Sequence, residues 1–317
     1  MSSPRGRSGA LRIGTRGSPL ARTQAGLVRD LLHAAHPGLP EPELVVIRTT
    51  GDRIRDRPLA EVGGKGLFTK EIEEALAAGA VDLAVHSMKD METRLPDGLA
   101  IGCLLPREDP RDALFTAPAL GPCRRIEALP EGARLGTSSL RRVAQALARR
   151  PDLVVAPMRG NVETRLEKLA RGEVDATLLA VAGLKRLGLA ARIEAVLEPE
   201  DMLPAVGQGA IGVECRAGDD GTRALLAPIG HEETALRVGA ERAFLTALDG
   251  SCRTPIAALA EVEGDTLRLR GLVASPDGRA VYEAERRGPA RDAAALARDA
   301  AGEIRAAAGP GFFAALA

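Results

Sequence analysis

The run His86-Ser87-Met88-Lys89-Asp90 sets an ammonium beside a carboxylate just after Asp82–Val85, which reads as a strand. Loops that follow strands are where α/β folds carry functional groups. Lys89 and Asp90 are therefore a candidate charge site, with a solvated loop ion pair as the plain alternative. A thiolate is a second possible chemistry. Cys103 and Cys215 lie in strand-like runs (IGCLL and GVECR), and Cys123 lies in a loop without another motif. Cys252 instead sits in DGSCRTP, between a helical and a strand pattern, where Arg253 favours the charged sulfur. It is the candidate reactive thiol. Anion capture is a third. Arg16 follows one strand, Arg141 and Arg142 follow another, and Arg159 and Arg165 flank an RGN turn entering a helix. Guanidinium forks bind carboxylates bidentately and helix N-termini add backbone donors, so the expected ligand is a polycarboxylate or phosphate. Only five of the 43 basic residues are lysines, so arginine is abundant everywhere; equivalent placement at strand ends is what favours function.

Two glycine-rich stretches imitate nucleotide sites and fail. EVGGKGLF (Glu61–Phe68) has Leu59 and Gly66 where a phosphate loop needs glycine and a hydroxyl residue. It reads as a loop presenting Lys65 ahead of a helix starting near Thr69, suited to anion contact, to a mobile lid or merely to solvent. Gly207–Gly212 fits G-x-G-x-x-G, but Pro204 interrupts the approach and Ile211–Cys215 continues as a strand, so it reads as a glycine-rich crossing.

The elements that must position these groups come in two copies. RIGT at Arg12–Thr15 corresponds to RLGT at Arg134–Thr137, and ELVVIRTTGD at Glu43–Asp52 to DLVVAPMRGN at Asp152–Asn161. LAAGAVD at Leu76–Asp82 corresponds to LARGEVD at Leu169–Asp175, completing an ordered series. Each copy reads strand–helix–strand–helix–strand. Ser18 and Pro19 start a helix whose apolar face takes Leu20, Leu27, Val28, Leu31 and Leu32. Apolar runs at Leu44–Ile47, Leu153–Ala156 and Leu178–Val181 predict strands buried on both faces of a parallel sheet. The expected organisation is an α/β domain over 10–105, completed by about 206–226, a second over 111–203, and a small α+β domain over 230–317. A ligand cleft is expected between the first two domains, facing strand C-termini. The third domain has a helix near Glu232–Leu248, strands near Ile256–Val262, Thr266–Ala274 and Ala280–Arg287, and a helix from about Asp292.

Whole-chain properties narrow the function classes. Lys and Arg equal Asp and Glu at 43 each, and only six residues are aromatic, which argues against nucleic acid or an anionic membrane as partner. The N-terminus lacks an apolar signal core, no uncharged run reaches the roughly 18 residues of a bilayer span, and no Cys/His spacing fits a metal. The expectation is a cytoplasmic protein with reduced thiols.

TRGSPLA (Thr15–Ala21), GGKGLFTKE (Gly63–Glu71), AVHSMKD (Ala84–Asp90), REDPRDA (Arg107–Ala113), GTSSLRR (Gly136–Arg142), RGNVETRL (Arg159–Leu166), LAVAGLKRLGL (Leu179–Leu189), LPAVGQGAIGVECR (Leu203–Arg216) and HEETALRVGAERAF (His231–Phe244) run in order along the chain. Together they resemble porphobilinogen deaminases. The resemblance implies two α/β domains like those of periplasmic binding proteins, flanking a cleft, plus the small α+β domain. It implies a transferase that joins four porphobilinogens head to tail into hydroxymethylbilane with release of ammonia, working as a monomer without metal. It also implies a dipyrromethane cofactor held by a thioether at Cys252. Asp90 with Lys89 would be catalytic. Substrate and cofactor carboxylates would meet Arg16, Ser18, Lys89, Thr137, Ser139, Arg141, Arg142, Arg159 and Arg165, with Lys65 and Phe68 in a loop over the cleft. The sequence departs from the family pattern at Glu61, commonly lysine, at Met91-Glu92, commonly Val-Pro, and at GSCRTP, commonly GGCQVP. A solute-binding or effector-sensing protein would share the duplication and the arginines, but the third domain and its loop cysteine would have no role.

Overall fold

A computed structural model describes residues 9–53, 66–250 and 254–316. The first copy opens with β1 (Arg12–Arg16) and α1 (Pro19–Ala35). Ser18 caps α1 by accepting the Ala21 N–H at 3.3 Å, and Pro19 occupies the first turn, where an amide hydrogen would have no partner. The buried stripe of α1 is Gln24, Ala25, Val28 and Leu32. Leu27, expected on it, stands at its margin and is 42% exposed. There follow β2 (Glu43–Ile47), the short α2 (Thr50–Arg53), α3 (Lys70–Ala77), β3 (Leu83–Ser87) and β4 (Leu99–Leu104).

The second copy contains β5 (Asp112–Thr116), β6 (Arg134–Gly136), α4 (Leu140–Arg149), β7 (Val154–Ala156), α5 (Val162–Ala170), β8 (Ala176–Ala180), α6 (Val181–Arg186) and β9 (Ala195–Leu197). The chain then returns to the first sheet as β10 (Ile211–Arg216), followed by α7 (Asp220–Leu226). The strand orders are β2-β1-β3-β10-β4 and β7-β6-β8-β5-β9. They are the same order once β10 is matched with β5 and β4 with β9, so the duplication is structural as well as sequential.

Neither sheet is wholly parallel, contrary to the expectation. β10 runs antiparallel to β3 and β4, and β5 to β8 and β9. Each enters its sheet directly from a crossing segment, with no crossover helix to impose the parallel direction. β2 and β7 also differ from the expectation of burial on both faces. They are edge strands, and Val46 and Val154 are 47% and 53% exposed. β8, in the middle, is buried as expected.

In the first copy, Ile13, Val28, Leu83 and Val213 pack on the α1 face of the sheet, and Ile72, Leu76, Val81 and Ala84 on the α3 face. The third module comprises α8 (Glu232–Ala247), antiparallel β11 (Ile256–Glu263), β12 (Thr266–Ala274) and β13 (Val281–Pro289), and α9 (Ala293–Leu316), kinked at Gly309-Pro310. Its core centres on Phe244, whose ring would lie 2.3 Å from a Cβ at Gly271, so glycine is required there. The opposite sheet face shares a buried cluster with Ala144 and Leu203 of the second copy. By packing, the chain divides into Met1–Arg107 with Ala210–Ala235, and Glu108–Gly209 with Leu236–Ala317. Among the described residues, no helix is long and apolar enough to cross a membrane.

The G-x-G-x-x-G run is a close passage of backbones. Gly209 has φ +89, and a Cβ there would lie 2.2 Å from the Glu108 carbonyl oxygen. Ile211 then continues as β10, leaving no helix N-terminus for a dinucleotide.

Candidate functional site

In the first copy, the C-terminal ends of β1 and β3 carry the expected groups. Arg16 leaves β1 half-buried. Its Nη2 donates to Asp52 Oδ1 at 2.5 Å, and its guanidinium lies 4.1 Å over the Phe68 ring. Burial pushes the Asp52 carboxyl up, but the Arg16 hydrogen bond and charge, with Thr49 donating at 2.8 Å, outweigh it and leave the group below its ordinary value. Arg16 therefore already holds an internal carboxylate, which an acidic ligand would displace or join. Ser18 is half-buried at the head of α1.

β3 runs into a 3₁₀ turn over Met88–Asp90. The Met88 N–H donates to the Ala210 carbonyl at 3.0 Å, and its sulfur lies 2.2 Å from where a Cβ on Gly212 would stand. The turn is thus held by backbone on one side and by a glycine-shaped gap on the other. Ser87 exchanges hydrogen bonds with the Gln24 side chain at 3.0 and 3.1 Å. Lys89 and Asp90 are half-buried. The Asp90 carboxylate makes no hydrogen bond or ion pair among the described residues, an uncommitted charge at the end of a central strand.

In the second copy, β6 leads into Thr137, Ser138 and Ser139. Thr137 is buried, its N–H donating to the Ala156 carbonyl at 3.0 Å and its hydroxyl accepting the Ser139 N–H at 3.2 Å. Ser139 stands at the N-cap of α4, yet its side chain makes no capping bond. Asn161 caps α5 by accepting the Thr164 N–H at 2.8 Å, with Arg159 and Arg165 half-buried around that turn and Arg165 Nε donating to the Gly160 carbonyl.

Arg141 and Arg142, expected to meet ligand carboxylates, are each already paired with an internal one. Both are 5% exposed, because the first turn of α4 points them under the sheet end, where each donates to Asp112 at 2.7 Å. Arg141 also donates to the Leu203 carbonyl and Arg142 to that of Leu178. Asp112 is fully buried and takes a third bond from Gln208 Nε2 at 2.9 Å. Burial opposes its charge, but the two guanidiniums prevail and hold it well below the usual carboxylate range. This group sets two cations against one anion, and the Nε of each arginine has no partner among the described residues. Asp112 was not among the residues expected from sequence; a carboxylate opening an apolar strand, DALFT, was the available signal.

Lys65 and Cys252 lie outside the described residues. The segment before Cys252 is anchored: the Gly250 N–H donates to the Leu245 carbonyl at 3.0 Å, and Asp249 adopts φ +52. Burial, with Cys215 beside it, pushes the Cys103 thiol up to about 12, and burial raises Cys215 too, so neither is poised as a nucleophile. Cys123 has its sulfur 3.7 Å from the Ala128 carbonyl.

Two family models match the chain. "Porphobilinogen deaminase, dipyromethane cofactor binding domain" covers residues 11–224, and "Porphobilinogen deaminase, C-terminal domain" covers residues 235–306. The porphobilinogen deaminase of Paracoccus denitrificans is 58% identical over 305 residues, 96% of either chain. That of Nitrobacter hamburgensis is 56% identical, covering 95% of this chain and 94% of its own. The chloroplastic protein of Oryza sativa is 53% identical, covering 96% and 85%. An ancestral arginine-binding protein of solved structure is similar at a TM-score of 0.39 and 15% identity, over 70% of this chain and 90% of its own.

Proposed function

The chain belongs to the porphobilinogen deaminase family, and from that premise we propose how its residues divide the work of a hydroxymethylbilane synthase. The reaction joins four porphobilinogens head to tail and releases one ammonia per unit, in tetrapyrrole biosynthesis. Each pyrrole carries an acetate and a propionate, so the growing chain gathers carboxylates and needs cations held in place.

The dipyrromethane fits the residues present. The Asp112 group keeps a surplus positive charge and two guanidinium N–H groups with no partner among the described residues under the head of α4, an environment that an acidic group beside it would neutralise. Cys252 would hold the dipyrromethane through its sulfur, and that group would supply the pyrrole carbon onto which units are joined. Arg16, Ser18 and Lys89 of the first copy, and Thr137, Ser139, Arg159 and Arg165 of the second, hold acetate and propionate oxygens; Lys65 adds a cation from its loop, and the Phe68 ring backs the Arg16 guanidinium. Arg141 and Arg142 add charge from below. The chain works as a monomer in the cytoplasm.

The uncommitted carboxylate of Asp90 carries this reading. As the amino group leaves as ammonia, positive charge develops on the substrate pyrrole. A fixed carboxylate stabilises that charge and handles the protons exchanged. Asp90→Asn keeps the size and removes the charge, so turnover of cofactor-loaded protein should fall by roughly 10²–10⁴. Asp90→Glu should retain more. Near-normal turnover in a folded, loaded Asp90→Asn variant would overturn the assignment.

A further inference from the structure

Behind the Lys89–Asp90 turn lies a buried group of ionisable side chains that the reaction as described does not use. His86 on β3 and Glu214 on β10 are 5% and 0% exposed, with His86 Nε2 3.1 Å from Glu214 Oε2. The antiparallel ladder makes this pair. His86 stands opposite Gly212 and Glu214 opposite Ala84, so the two side chains are diagonal neighbours on one face of the sheet. That face is the one covered by α3, through Ile72 and Leu76. From α3, Glu73 turns a nearly buried carboxyl toward the same place. Burial holds that carboxyl above its ordinary value; Thr69 and His86 oppose the rise, while Glu214 and Glu92 add to it. Glu92, two residues past Asp90, accepts the Gly66 N–H at 3.1 Å. Glu214 Oε1 has no partner among the described residues.

A core strand that needed only stability would carry apolar side chains here, because burying charge costs several kcal/mol per ion before any pairing is gained. What such a pair supplies is specificity of alignment. The pairing of β3 with β10 decides where the 3₁₀ turn leaves the sheet, and a slip of one residue would send every side chain to the opposite face. His86 and Glu214 span the middle rungs of that ladder, with only the Ser87–Ile211 rung between His86 and the Met88 anchor on Ala210. We propose that the His86–Glu214 pair, with Glu73 packed against it, is a positioning device that fixes the β3–β10 register and thereby aims Lys89 and Asp90. The inference rests on the reading of Asp90 as the reacting carboxylate.

His86→Leu and His86→Gln separate aiming from mere stability. Leucine fills the space but leaves Glu214 unpartnered, whereas a glutamine amide can still donate to it. In folded protein whose cofactor is confirmed by mass, His86→Leu should lower kcat roughly 10- to 100-fold, as a small displacement of a catalytic group does. Its KM should stay within about threefold, because Lys89 is the one binding cation carried on the turn and Arg16, Arg159 and Arg165 are untouched. Deuterium exchange of the fragment spanning Leu83–Glu92 should quicken in the same variant, and His86→Gln should restore both readouts toward the parent. If kcat per folded, loaded molecule and the exchange rate are both unchanged in His86→Leu, the positioning role is wrong. It is equally wrong if His86→Gln is as impaired as His86→Leu. Normal turnover in Asp90→Asn would instead break the reading of Asp90, while the exchange data would still judge the register.

Discussion

On β5 of the second copy, Asp112 is met by two guanidinium groups; on β10 of the first, Glu214 is met by an imidazole and a second carboxyl. Both carboxylates sit on the strand that enters its sheet antiparallel, and both are fully buried. Their surroundings have opposite charge balance. The second copy keeps a surplus cation beneath the head of α4, which suits it to anionic ligands. The first sets Glu73 and Glu214 around the one imidazole of His86, burial holding the Glu73 carboxyl above its ordinary value, and Asp90 stands at the adjoining strand end. A handful of interior charges thus makes two copies of one scaffold electrostatically unlike.

The largest effect should come from breaking the second copy's group. Asp112→Ala leaves two arginines buried without their counter-ion, a loss of about 3–5 kcal/mol in denaturant unfolding. A depressed carboxyl contributes stability that is present above its ordinary value of 3.8 and is lost only as pH falls through the folded value. Parent and variant should therefore converge only in strong acid. In the first copy the sign is reversed and the effect smaller. The Glu73 carboxyl is raised, so its contribution is full below the ordinary value of 4.5 and is lost as pH rises through the folded one. Glu73→Gln should gain on the parent as pH rises above 4.5 and through the folded value, in thermal melts run over a series of pH values. A variant that tracks the parent at every pH would mean Glu73 is ionised throughout, and the contrast between the copies would narrow.

Much of this was legible in the sequence. The repeated RIGT and RLGT, the Ser18-Pro19 helix start and the three strands of the last module lie where local pattern put them, because each depends on neighbours within a few residues. The antiparallel β5 and β10 were not legible, since the direction of a strand entering from a crossing segment depends on a sheet assembled from distant residues. Leu44–Ile47 and Leu153–Ala156 read as doubly buried for a related reason: periodicity reports apolar content, and edge position is a property of the sheet. Motif likeness picked out Arg141 and Arg142, but not that the turn of α4 buries them on Asp112. His86, Glu73 and Glu214 meet only across the β3–β10 ladder and α3, so no spacing along the chain announces them.

The central claim is that this chain extends pyrroles on its own cysteine, and intact mass of the purified protein tests it most directly. The protein should weigh more than its chain by two pyrrole units. Brief exposure to porphobilinogen should add a ladder of single-pyrrole increments, all on the peptide containing Cys252. Turnover by protein whose Cys252 stays unmodified, with no ladder, would contradict the account.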